Sequence, residues 1–76
     1  MLHFRHICGY TIFMHVELCN KVWIGSVKII NYHGSVIRHS IIGRFANEEE
    51  AEWMVHFDGA TLASSIRLLH QLERAN

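Results

Sequence analysis

Residues 10–30 read YTIFMHVELCNKVWIGSVKII, and this stretch decides the fold. Tyr10, Ile12, Met14, Val16 and Leu18 alternate with Thr11, His15 and Glu17, the period of a strand with one face buried. Only Phe13 breaks the alternation. Asn20-Lys21 supplies a two-residue hairpin turn, because asparagine tolerates positive φ at the first turn position. Folding about that turn pairs Leu18 with Trp23, Val16 with Gly25, Met14 with Val27 and Ile12 with Ile29. One face of the hairpin becomes apolar throughout. A slip of one residue would scramble it, so the register is specified.

On the C-terminal side, Tyr32-His33-Gly34 reads as a three-residue loop with Gly34 as the left-handed residue of a bulge. That loop pairs Ile29 with Ile37, Val27 with His39 and Gly25 with Ile41. A two-residue loop at His33-Gly34 would instead set Ile29 against Arg38, so the apolar pairing favours the longer loop. Strands are expected at about 10–19, 22–32 and 35–45. Residues 2–8 read as an extension of the first strand, with Gly9 as a bulge or bend.

Beyond Phe45 the period changes to that of a helix. Asn47 is a good N-cap with Glu50 three residues on, and Glu48, Glu49 and Glu50 suit the positive end of the helix dipole. Trp53 and Phe57, one turn apart, are expected in the core against the sheet. Asp58-Gly59 is expected to end this helix, and Thr61 to cap a second in which Leu62, Ile66, Leu69 and Leu72 form one stripe. One bent helix is the alternative, since a lone glycine costs only about 1 kcal/mol relative to alanine. Helices are thus placed at about 48–58 and 61–74. The expected fold is a single α+β domain over residues 1–76: a three-stranded antiparallel β-meander with one or two C-terminal helices packed on one face.

With 76 residues the chain has room for one domain, and half of them are apolar with no proline. A domain this small buries only about 60% of its unfolded surface, which favours self-association. Seven Lys+Arg balance seven Asp+Glu, removing any bulk electrostatic case for nucleic acid or an anionic membrane. Cys8 and Cys19 are too few for a disulfide framework and point to a reducing compartment, the cytoplasm. No apolar run is long enough to span a membrane, and the first residues lack the apolar segment of a signal peptide.

The second sheet face carries the functional expectation. In the register above it presents Phe13, Ile24, Lys28, Ile30, Val36, Arg38, Ile42 and Arg44, with Ile24 opposite Ile42 and Lys28 opposite Arg38. Apolar anchors with a basic fringe suit a contact with a protein partner, a homodimer being the commonest form. The alternative is ordinary core, if the N-terminal segment or a helix folds over this face. A nucleic-acid-binding regulator could use the same residues, but the three glutamates opening the helix would repel phosphate.

Seven histidines, His3, His6, His15, His33, His39, His56 and His70, are scattered along the chain. His3, His6 and Cys8 form the one local cluster, at a spacing no standard zinc motif uses, and His3 and His6 point to opposite sides of a strand. His15 and His39 fall on opposite faces in this register. No metal site or cofactor is therefore assigned. Cys8 or Cys19 with His15 lacks a third orienting group, so no catalytic residues are assigned and the chain is read as a non-enzyme.

The Gly34 hairpin, Arg44-Phe45, the capped segment from Asn47 to Trp53 and the terminal Leu72-Glu73-Arg74 follow an order that resembles some small anti-CRISPR proteins of phages and mobile elements. The likeness covers residues 10–74 in element order and is equally similar to small bacterial proteins built from a meander and a helix. It implies a non-catalytic inhibitor that occludes a surface of a CRISPR effector. The neutral charge departs from the acidic composition of DNA-mimicking inhibitors, and no functional residue carries over.

Overall fold

Two left-handed residues at Cys8 (φ 48°) and Gly9 (φ 83°) reverse the chain before the expected meander begins. The computed structural model, which describes residues 2–75, therefore has an additional strand. β1 (Leu2–Ile7), β2 (Tyr10–Cys19), β3 (Val22–Ile30) and β4 (Val36–Phe45) form an antiparallel sheet in the order β1-β2-β3-β4, followed by α1 (Glu48–Ala75). Residues 2–7 do not prolong β2; they fold back and pair beside it, with Leu2 opposite His15 and Ile7 opposite Tyr10. The two-residue turn works because successive positive φ values match the right-handed twist of the strands it joins. Asn20 (φ 50°) and Lys21 (φ 65°) repeat that geometry between β2 and β3.

The β2–β3 register is the one the alternation predicts, from Leu18 with Trp23 to Ile12 with Ile29. The third turn is built by Asn31. Its Oδ1 accepts from the backbone N–H of His33 and of Ser35, both at 3.0 Å, while its carbonyl accepts from Gly34 N at 3.0 Å. Gly34 takes φ 86°, a conformation costly for a residue with a Cβ.

β4 departs from expectation. Ile30 pairs with Val36 as its loop requires, but one bulge follows at Ile29/Ile30 and a second at Gly25/Ser26. Lys28 consequently faces His39 rather than Arg38, Ile29 faces Arg38, and Ile24 faces Arg44 rather than Ile42. The shifted register ends in a glycine pair. Gly25 pairs with Gly43, and the Phe45 ring lies over both, 3.5 Å and 3.1 Å from where their Cβ atoms would be. A Cβ at Gly43 would crowd that ring, whereas one at Gly25 would meet the ring at ordinary contact distance and press instead on Val55 Cγ1, 2.7 Å away.

α1 is one unbroken helix of 28 residues. Asn47 caps it, Oδ1 accepting from Glu50 N at 2.8 Å. Thr61 caps nothing; its hydroxyl donates to the Phe57 carbonyl at 3.0 Å, one turn back. Gly59 does not end the helix but seats it: a Cβ there would stand 2.5 Å from Met14 Sδ. The inward stripe is Ala51, Val55, Gly59 and Ala63, all buried, with Leu62 and Ile66 beside it. Small residues at nearly one-turn spacing let the helix lie close over β2 and β3. Trp53 and Phe57 are two residues out of phase with that stripe and point outward. They are 64% and 59% exposed and stack on one another, ring centroids 5.4 Å apart, so they are not core.

Candidate functional site

Ile12, Met14, Val16, Val27 and Ile29 are buried beneath α1. Among the described residues no element lies over the opposite face of the sheet. Its rows follow from the pairing: Leu2, His15, Ser26 and Ile41; then Phe4, Phe13, Lys28 and His39; then His6, Thr11, Ile30 and Val36; and Glu17, Ile24 and Arg44 at the end nearest the helix start. β1 widens this face instead of covering it, contributing Leu2 and Phe4 at 57% and 61% exposure.

Six of the residues expected on this face are there: Phe13, Ile24, Lys28, Ile30, Val36 and Arg44. Two are not. The bulges carry Ile42 to the helix side, where it packs against the buried core, and put Arg38 on that side as well, its Nε donating to Ser40 Oγ at 3.3 Å. Ile41, 71% exposed, takes the place expected of Ile42, and His39 that of Arg38. His15 and His39 therefore share the open face, where with Leu2, Phe13, Ser26 and Lys28 they line a hollow of about 400 Å³.

The electrostatics of the face are mild. The Lys28 ammonium lies 5.3 Å from the centre of the Phe13 ring, a cation–π contact that also removes it from the like charge expected at Arg38. Phe4 meets Phe13 with ring centroids 6.1 Å apart, and His6 Nδ1 and Thr11 Oγ1 are hydrogen-bonded at 2.9 Å. Glu17 and Arg44 flank Ile24 from the two neighbouring strands. The face sets two cations, Lys28 and Arg44, against one carboxylate, Glu17.

A second cluster lies on the helix side, at the β1 edge. Glu52 and His56, one turn apart on α1, meet His3 from β1. His3 Nε2 is 3.1 Å and His56 Nε2 3.6 Å from Glu52 Oε2, and the imidazole centroids are 4.7 Å apart. Glu52 Oε1 is buried without a hydrogen-bond partner. The local part of this group, a carboxylate and an imidazole at i and i+4, is legible in the sequence; His3 is not, because it arrives only through the β1 fold-back. The cluster of His3, His6 and Cys8 does not converge: His3 and His6 face opposite sides, and Cys8 is an exposed free thiol in the turn. Cys19 is likewise free and exposed, at the end of β2.

Fold and face together define a small two-layer α+β protein with one sheet surface left open. Compared with protein-family models, curated proteins and solved structures, the chain matches none of them. No helix of the described residues is long and apolar enough to cross a membrane.

Proposed function

We propose that this chain is a small non-catalytic protein-binding module that makes its contact through the open sheet face, with a second copy as its first partner. The observation that carries the reading is the number of large apolar side chains, Leu2, Phe4, Phe13, Ile24, Ile30, Val36 and Ile41, that share with a few polar ones a face no helix covers among the described residues. Apolar patches of this kind on small domains mark interaction sites. A face-to-face pairing of two such sheets, about 10 Å apart, would bury it. A two-fold axis along β3 would set Glu17 of each copy against Arg44 of the other, and would bring together the two Lys28 ammonium groups, each held over its own Phe13 ring. Ile24, Ile41 and Phe13 would supply the burial, while Glu17 and Arg44 would set orientation.

Two cations partly offset by Glu17 make a thin basic footprint, which argues against the alternative, a nucleic-acid-binding regulator. The likeness in element order to small anti-CRISPR proteins implies occlusion of an effector surface, and the same face would serve that mode.

Sedimentation of the wild type and of an Ile24→Glu, Ile41→Glu double variant tests the reading. Expected is a dimer that becomes a folded monomer on substitution. A monomeric wild type removes self-association. A double variant that unfolds removes the open face as a contact surface, and affinity for RNA or DNA that falls steeply with salt replaces the reading with the alternative.

A further inference from the structure

The structure assigns His3, Glu52 and His56 as a binding site for a divalent transition-metal ion of the zinc class, on the side of the sheet away from the proposed interface. The donor atoms of the three side chains all lie within 4.8 Å of one another. Around a tetrahedral zinc with bonds of about 2.0–2.1 Å, neighbouring donor atoms stand about 3.4 Å apart. The His3–Glu52 and His56–Glu52 separations of 3.1 Å and 3.6 Å already bracket that value. Only the two imidazole nitrogens need to close on each other. His56 is about half exposed, and its ring already lies beside that of His3, centroids 4.7 Å apart.

Hydrogen bonding alone accounts for part of the arrangement. Glu52 Oε2 faces both imidazoles and needs no metal, but Oε1, on a side chain only 19% exposed, is buried with no hydrogen-bond partner. An orphaned carboxylate oxygen is costly, and an ion held by both carboxylate oxygens would give Oε1 a partner as well as Oε2. Two imidazoles and a carboxylate suit zinc, cobalt or nickel, whereas magnesium and calcium seek all-oxygen sets. Three protein ligands leave a fourth position for water or for a donor from another molecule.

The fold prepares the site in two independent ways. Helical spacing holds Glu52 and His56 on one face, and the turn at Cys8-Gly9 brings His3 alongside, opposite Met14 in the β1–β2 pairing. Neither part would bind such an ion firmly alone.

Zinc titration of the full chain without a histidine tag, followed by calorimetry, tests the assignment. The wild type should bind one equivalent. His3→Ala, His56→Ala and Glu52→Gln should each weaken binding by at least about tenfold. His70→Ala, far along α1, should bind as the wild type does. Cobalt should give the intense visible bands of a tetrahedral site in the wild type and lose them in the three variants. Zinc at about a hundred times its dissociation constant should raise the wild-type Tm by about 10–20 °C and leave that of His56→Ala unmoved. The two histidines are on the surface, so their variants decide the matter even if Glu52→Gln fails to fold. No zinc binding below about 1 mM (a standard free energy near −4.1 kcal/mol), or binding unchanged in His3→Ala and His56→Ala, overturns the assignment.

Discussion

On one side of the sheet Ile12, Val16 and Val27 are at most 1% exposed; on the other Leu2, Phe4, Val36 and Ile41 stand 54–71% exposed. Both faces are built from the same strands, and both are rich in large apolar residues. The difference is that the described residues hold one helix to lay over them, and that helix has one stripe shaped for close approach. Ala51, Gly59 and Ala63 admit the sheet on the inward side, while Trp53 and Phe57 project from the other. Hydrophobicity marks what can be buried. Shape decides which face is.

The sharpest way to break this contrast is to truncate one anchor on each side. Ile12→Ala should lower unfolding free energy by about 2–5 kcal/mol, the range for buried aliphatic truncations. Ile24→Ala, measured by denaturant melts at concentrations where the chain is monomeric, should change it by no more than about 0.5 kcal/mol. Equal losses would mean that the second face is also core. Adjacent residues on β4 give the next largest effect. Ile42→Glu pushes a charge toward the core and should cost about 2–3 kcal/mol, whereas Ile41→Glu should be nearly neutral for folding. The reverse order would restore the unbulged register.

A smaller change sharpens the argument about shape. Gly25→Ala would put a Cβ 2.7 Å from Val55 Cγ1, so it should cost about 1–2 kcal/mol by overpacking. Val55→Ala should recover part of that loss when the two are combined, a non-additivity that urea melts of the double-mutant cycle would read. The smallest effect belongs to the helix start. Asn47→Ala removes the acceptor for Glu50 N and should cost about 1 kcal/mol without moving the helix to the other face.

The β2–β3 hairpin was legible because its strands alternate without interruption beyond Phe13 and its turn residues tolerate positive φ. The N-terminal strand was harder to see. Leu2 and Phe4 alternate with His3 and Arg5 as a strand should, but cysteine is an unusual first residue for a tight turn, so the fold-back at Cys8 left little local signal. Trp53 and Phe57 misled for another reason: their size suggests burial, while their phase against Ala51 and Val55 places them outside. Of the open face, Phe13, Ile24, Lys28, Ile30, Val36 and Arg44 could be placed from alternation, and the positions of Arg38 and Ile42 could not.

The partition into strands and then helix, the turns at Asn20 and Gly34, the cap at Asn47 and the pairing of β2 with β3 are written in the sequence, because each depends on residues within a few positions of one another. The register of β4 and the meeting of His3 with Glu52 and His56 are decided by tertiary structure. The first involves contacts between separate elements, Phe45 on Gly43 and Val55 of the helix on Gly25, and the second a strand returning to the side of a helix that begins 45 positions later than residue 3. Periodicity and turn chemistry act over a few bonds, whereas bulges and side-chain clusters are set where separate elements pack.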